Sequence, residues 1–409
     1  MKYFIISILV VLGAVFLYFI YGVYWTYTFN ARQDTTGIGL PDTFRLELPL
    51  VRDMNGYFCI TAKANDSQAK SFIIDTKATC LSKLERLQDL DANYWGRFPV
   101  PVKNTYGQQE RFSLYEIDSL AIGSLILSKP LFKCISRTNA LYDRLYKDVI
   151  GKDILRQFTW KFVLDDEKII LFSTKDQNML RAESENYIRI KNGLDNNNVV
   201  LSFPLLKKNA GFDFDMGYQG ELSIDKELFE SLASVTEYKK YVSCRVLEKI
   251  DTTYVINGVD IEWNGITVSN CVLRYYPMVN RNLIGVKFIG RFNFILGYQL
   301  TESAGRSADL FIQLREKSSS PVSNTNSSNL GFDINPLNGN LFVTSLEIGG
   351  KAENAGLRIK DTVIGIDNGA INLSPETVLS GQVANHLSRK DTVTIKVKRD
   401  NEIIEYTIK

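Results

Sequence analysis

A chain of 409 residues, 45% of them hydrophobic, exceeds what one hydrophobic core serves, so two or three folded units are expected. Its 48 Lys and Arg against 46 Asp and Glu leave no net field to hold a nucleic acid, and that partner class is set aside. A single histidine, His386, and five scattered cysteines without a C-x-x-C pair argue against histidine-based triads, zinc sites and dithiol redox chemistry, so no metal or cofactor is expected.

Residues 3–31 carry no charge, and residues 4–23 are apolar over a length that crosses a bilayer as a helix. Tyr18, Tyr21, Tyr24, Trp25 and Tyr27 crowd its C-terminal edge, where amphipathic rings favour the headgroup layer. A cleaved signal peptide would be shorter and would end in small residues, whereas Tyr21, Gly22, Val23 and Tyr24 occupy that zone. Residues 1–31 are therefore expected to be an uncleaved signal anchor. Lys2 and the free amino terminus favour the N-terminus inside and the body outside.

Beyond the anchor, FRLELPLV, GYFCITAKA, KSFIIDT, SLAIGSLIL, KFVLDD and KIILF alternate with turn residues and predict a mostly β body. Only LSKLERLQDL and KELFESLASV show helical periodicity. An internal repeat organises this body. IGKDILRQFTW, residues 150–160, aligns with IGVKFIGRFNF, residues 284–294, placing Phe158 over Phe292. Upstream of each copy an apolar strand runs into an aspartate, SFIIDTKAT with Asp75 and GFDFDMGYQGELSI with Asp215. Gly151 and Gly285 follow these aspartates at nearly equal separations, which implies two similar lobes, 40–180 and 187–312. The polar stretch EKSSSPVSNTNSSN then marks a flexible linker at 315–328, leaving 329–409 as a C-terminal unit.

The repeat resembles the pepsin and retropepsin aspartic peptidases, in the bacterial form with two lobes in one chain. In that family each lobe presents an apolar strand, then Asp-Thr-Gly, and later an apolar pair plus glycine that closes a crossed loop around the aspartate. Asp75 with Thr76, and Asp215 with Gly217, fall on the first motif; Ile150-Gly151 and Ile284-Gly285 fall on the second. The resemblance implies Asp75 and Asp215 as the catalytic dyad, supported by Thr76, Gly217, Gly151 and Gly285. Two carboxylates about 3 Å apart hold one proton, so one activates a water while the other donates to the scissile carbonyl. Two departures count against activity. Lys77 stands where the family has glycine and brings a Cβ and an ammonium near the dyad, while Met216 replaces the second threonine, so that Thr76 is expected to lose its threonine partner across the lobes and its buried hydroxyl to need another. Tyr106-Gly107 match the tip of the family's flap, a hairpin over the cleft, and read equally as an ordinary turn.

NLGFDI and GGKAENAGLRIKDTVIGIDNGAI resemble the carboxylate-binding loop and the Ala-Gly-Leu stretch of PDZ domains. The resemblance implies that Leu330, Gly331 and Phe332 present backbone amides to a peptide's terminal carboxylate. The peptide would pair as an extra strand along the segment through Ile334, with Phe332 lining the pocket for its last side chain.

The expected architecture is mostly β: an N-terminal transmembrane helix, a two-lobed aspartic-peptidase-like β domain and an α+β PDZ domain. Two functions fit it. One is a membrane-anchored aspartic endopeptidase that acts on polypeptides outside the cytoplasm, on the periplasmic side of a bacterial inner membrane by family resemblance, with a PDZ domain reading peptide C-termini. The other is a catalytically inactive peptide-binding scaffold of the cell envelope. Lys77 separates them, turned away from the cleft in the first and bonded to Asp75 or Asp215 in the second.

Overall fold

The uncharged N-terminal run forms one helix, Lys2–Thr35, of which Ile6–Phe29 is long and apolar enough to cross a membrane. Residues 6–20 are exposed, but one face of the last turns packs on the body. Trp25 meets Trp95 at 5.0 Å and Phe98 at 5.2 Å, Phe29 is buried against Leu114 and Leu131, and Arg32 Nε donates to Glu116 at 3.0 Å. Their spacing of four and three residues is that of one helix face. The computed structural model describes residues 2–35, 39–53, 55–65, 67–98, 102–103, 109–137, 139, 142–143, 145–190, 192–195, 198–205, 208–246, 249–300, 306–315, 330–337, 339–369, 373–374, 377–378 and 381–409. The expected linker at 315–328 lies outside these residues except for Arg315, as do Tyr106 and Gly107.

The repeated Ile-Gly segments do the same thing twice. In the first lobe Asp148–Ile150 lies parallel to Lys70–Ile74 and antiparallel to Leu81–Lys83. In the second, Leu283–Ile284 lies parallel to Lys208–Phe214 and antiparallel to Leu222–Ile224. Each late strand thus crosses between the strand that leads into an aspartate and the strand that follows it. Gly151 and Gly285 are required at these crossings. A Cβ on Gly151 would stand 2.2 Å from the Thr79 carbonyl carbon, and one on Gly285 would stand 2.2 Å from the Gly220 carbonyl oxygen.

The second half of each repeat copy joins the lobes. Phe158–Val163 and Phe292–Leu300 pair antiparallel at the centre of a shared sheet, ordered Arg45–Pro49, Lys168–Ser173, Phe158–Val163, Phe292–Leu300, Arg306–Leu314, Ile188–Ile190. Phe162 and Phe294 stack there at 4.3 Å, and Phe58 and Phe214 reach the Phe294 ring from the two lobes at 6.0 Å each. All four rings are buried, each contributing about 2–3 kcal/mol over an exposed position. A single core therefore runs through both lobes.

Residues 330–408 build a separate core around Leu330, Phe332, Val343, Ile366, Val383 and Ile395. Its strands are Phe332–Leu337, Asn340–Glu347, Thr362–Ile366, Val393–Arg399 and Glu402–Ile408, with helices Lys351–Asn354 and Gln382–Ser388. This unit is not detached. Asn340–Glu347 also pairs with Lys239–Val246 of the second lobe, Tyr241 opposite Glu347 and Ser243 opposite Ser345, so the two sheets are continuous. The chain is mostly β, with an N-terminal apolar helix, two β lobes and a C-terminal α+β unit.

Candidate active site

Asp75 and Asp215 each follow the strand their crossing loop encloses. The Asp75 N–H donates to Ile150 O at 3.0 Å and the Asp215 N–H to Ile284 O at 2.9 Å, so both Ile-Gly segments fix the backbone of their aspartate. Asp75 Oδ1 accepts the N–H groups of Lys77 at 2.8 Å and Ala78 at 2.9 Å, whereas Asp215 Oδ1 accepts that of Gly217 at 2.9 Å. The two loops meet. A Cβ on Gly217 would stand 2.1 Å from Asp75 Oδ2, so only glycine lets the second loop pass over the first carboxylate.

Both aspartates are half-buried. Burial raises Asp75, against the pull of the Ala78 and Lys77 N–H groups. Burial, then the charge of Asp75, pushes Asp215 up to about 7, opposed by Lys77. Such a pair resists double ionisation and holds one proton near neutrality.

Thr76 finds another partner in place of the missing threonine hydroxyl. Its buried hydroxyl donates to Phe214 O at 2.7 Å and accepts the Met216 N–H at 3.0 Å, both across the lobes. One hydroxyl is both donor and acceptor, and the backbone of the second lobe supplies both complements. Met216, with no hydroxyl to offer, buries its side chain in the shared core.

Lys77 meets neither outcome foreseen for it. Its ammonium is paired with Asp213, a carboxylate two residues before Asp215 on the strand Lys208–Phe214 that leads into it. Sequence reasoning missed Asp213. The available signal was the alternation in FDFD, which puts Asp213 and Asp215 on one side of a strand, opposite a loop that carries an unexpected cation. His386 lies far along the chain in the helix Gln382–Ser388, bonded through Nε2 to Asp367 at 2.7 Å.

In the C-terminal unit Leu330, Phe332 and Ile334 are buried. Gly331 adopts φ +80°, and a Cβ there would stand 3.1 Å from Glu347 Cβ, two reasons for glycine in that loop. The strand Phe332–Leu337 pairs on one side with Asn340–Glu347, and among the described residues no strand covers its other edge.

A family profile for the PDZ domain matches residues 328–409. No curated protein is significantly similar to the chain in sequence. Among solved structures, a retropepsin-like aspartic protease from Rickettsia conorii is similar at 18% identity over 32% of this chain and 93% of that one, with a TM-score of 0.25. An HtrA-type protease solved with a decapeptide is similar at 12% identity over 74% of this chain and 83% of that one, with a TM-score of 0.18. Likenesses this distant add nothing to the fold already described. The twice-repeated crossed loop around an aspartate gives the body its aspartic-peptidase-like fold, and residues 328–409 are a PDZ domain.

Proposed function

We propose that the protein is a membrane-anchored aspartic endopeptidase that hydrolyses polypeptides outside the cytoplasm, on the periplasmic side of a bacterial inner membrane, and whose PDZ domain takes exposed peptide C-termini. The observation that carries this reading is the opposed pair Asp75 and Asp215, with the ammonium of Lys77 drawn off to Asp213. A cation bonded to the dyad would drive both carboxylates to ionise; paired with Asp213, it leaves Asp215 its proton up to about 7.

The roles follow from the hydrogen bonds. Asp75 accepts two backbone N–H groups, which favour its charged form, so it is the general base. It takes a proton from water as the water oxygen bonds to the scissile carbonyl carbon, and Asp215 donates its proton to the carbonyl oxygen. The tetrahedral gem-diol collapses when Asp75 gives its proton to the amide nitrogen and ionised Asp215 takes one from a hydroxyl, so the C–N bond breaks to amine and carboxylic acid and the dyad returns to its starting protonation. Meanwhile Thr76 holds the two loops in register from below. In the PDZ domain the loop at Leu330, Gly331 and Phe332 receives the client's carboxylate and the open edge through Ile334 receives its backbone. The apolar helix and the charge at Lys2 support the anchor and its orientation.

The test is cleavage of an unstructured protein by the full-length chain in detergent micelles, from about pH 4 to about pH 8. Cutting that Asp75→Asn and Asp215→Asn each abolish is the expected result. A folded wild type that binds C-terminal peptides and cuts nothing sinks the peptidase reading in favour of the scaffold.

A further inference from the structure

Lys77 and Asp213 come from different lobes and face each other beside the dyad. Both are largely enclosed, with side chains 17% and 23% exposed, so each would be poorly solvated alone. The Asp213 backbone is already satisfied by Asn282 O and by its place opposite Leu283. Its carboxylate pairs with the Lys77 ammonium. The Lys77 backbone N–H, in turn, bonds to Asp75 at 2.8 Å, so the residue that carries the ammonium also holds a catalytic oxygen.

We propose that Lys77 and Asp213 are positioning residues for the dyad, an inter-lobe ion pair in which Asp213 offsets the ammonium that Lys77 brings to the site, so that Asp75 and Asp215 go on sharing one proton. This rests on the peptidase reading above. The cation favours ionised carboxylates and the anion disfavours them, so each half opposes the other and acts unopposed only when its partner is removed. Among the described residues, Lys152 also acts on Asp75, and Arg156 acts with Asp75 on Tyr298. Neither belongs to the pair, and neither is changed by the variants below.

Opposite signs make the test. Lys77→Met leaves the Asp213 anion beside the dyad and moves the pH profile of cleavage upward by about one unit; Asp213→Asn frees the ammonium and moves it downward by a similar amount. The double variant Lys77→Met/Asp213→Asn returns to within about half a unit of wild type, and Lys77→Arg, which keeps the charge, leaves the profile in place. The double variant buries no lone charge, so it supplies a result even where a single variant fails to fold.

A second readout does not need cleavage. Because Asp215 holds its proton to about 7 in the folded chain, stability falls as pH rises from the unfolded carboxylate range through about 7. The part of the Tm that Asp215→Asn removes isolates this fall. It extends to higher pH in Lys77→Met and ends at lower pH in Asp213→Asn. Shifts in the same direction, or none, overturn the proposal. A wild type that cuts nothing while its variants shift oppositely sinks the peptidase reading and keeps the pair's role; a cutting wild type with unshifted variants does the reverse.

Discussion

At the scale of single residues, Thr76 decides how the lobes are held beneath the dyad. The residue is 1% exposed and its hydroxyl serves two backbone groups of the second lobe. Thr76→Val keeps the shape and leaves one carbonyl and one N–H buried without a partner, at about 1–3 kcal/mol each. Denaturant unfolding is expected to show a loss of about 2–6 kcal/mol, with Thr76→Ser close to wild type. A Val variant within 0.5 kcal/mol or so of wild type would mean that water or a loop shift satisfies both groups. The residue scale is also where the sequence was least legible. Asp75 and Asp215 could be found because each ends a strand in a repeated pattern. That the backbone takes the place of a missing threonine hydroxyl has no sequence signal, because every residue but proline carries the same N–H and C=O. Nor does a flexible lysine announce which of several acids it will reach.

At the scale of elements, the repeat foretold the crossed strands because the glycine at each crossing is forced by close backbone contact, as at Gly151 and Gly285. The N-terminal helix was legible as apolar but not as docked. Tyr18, Tyr21, Tyr24 and Tyr27 are exposed as an aromatic belt would be, whereas Trp25, read with them, turns instead to Trp95 and Phe98. Hydropathy cannot separate a ring meant for lipid from one meant for protein, since both are apolar with a polar tip. The contact has two parts of unequal weight. The Arg32–Glu116 ion pair is partly exposed and is worth no more than about 1 kcal/mol, while Phe29 is 6% exposed in a ring cluster and its truncation removes roughly 3 kcal/mol or more. Phe29→Ala is therefore expected to speed proteolytic separation of helix from body by at least about tenfold, and Arg32→Ala by less than about fivefold. Equal effects would assign the joint to charge rather than packing.

At the scale of the whole molecule, the PDZ domain was legible from its own motifs, but its attachment was not, because edge pairing runs through backbone groups that any sequence offers. Glu347 is the centre of the joint. Its N–H donates to Gly331 O at 2.7 Å in the loop expected to take a carboxylate, while its side chain accepts the Tyr241 hydroxyl at 3.1 Å and meets Lys239 at 2.7 Å. Beside it, burial pushes Asp333 up to about 7, against the pull of Arg274 and Lys287 from the second lobe. An acid that keeps its proton longer when docked than when free favours docking below its free range, and that advantage is lost as pH rises through about 7. Global stability does not isolate this effect, because Asp215 titrates in the same range. Exchange of a joint amide does: Ile348 N–H donates across it to Lys240 O at 2.9 Å. Its protection, measured against that of a core amide such as Val343 within the same PDZ domain, is expected to fall between about pH 5 and about pH 8 in the wild type, and to stay level in Asp333→Asn, which cannot ionise. A variant whose protection falls as the wild type's does would show that Asp333 does not govern the joint, and would leave the ladder of Tyr241, Val242 and Ser243 as what holds it.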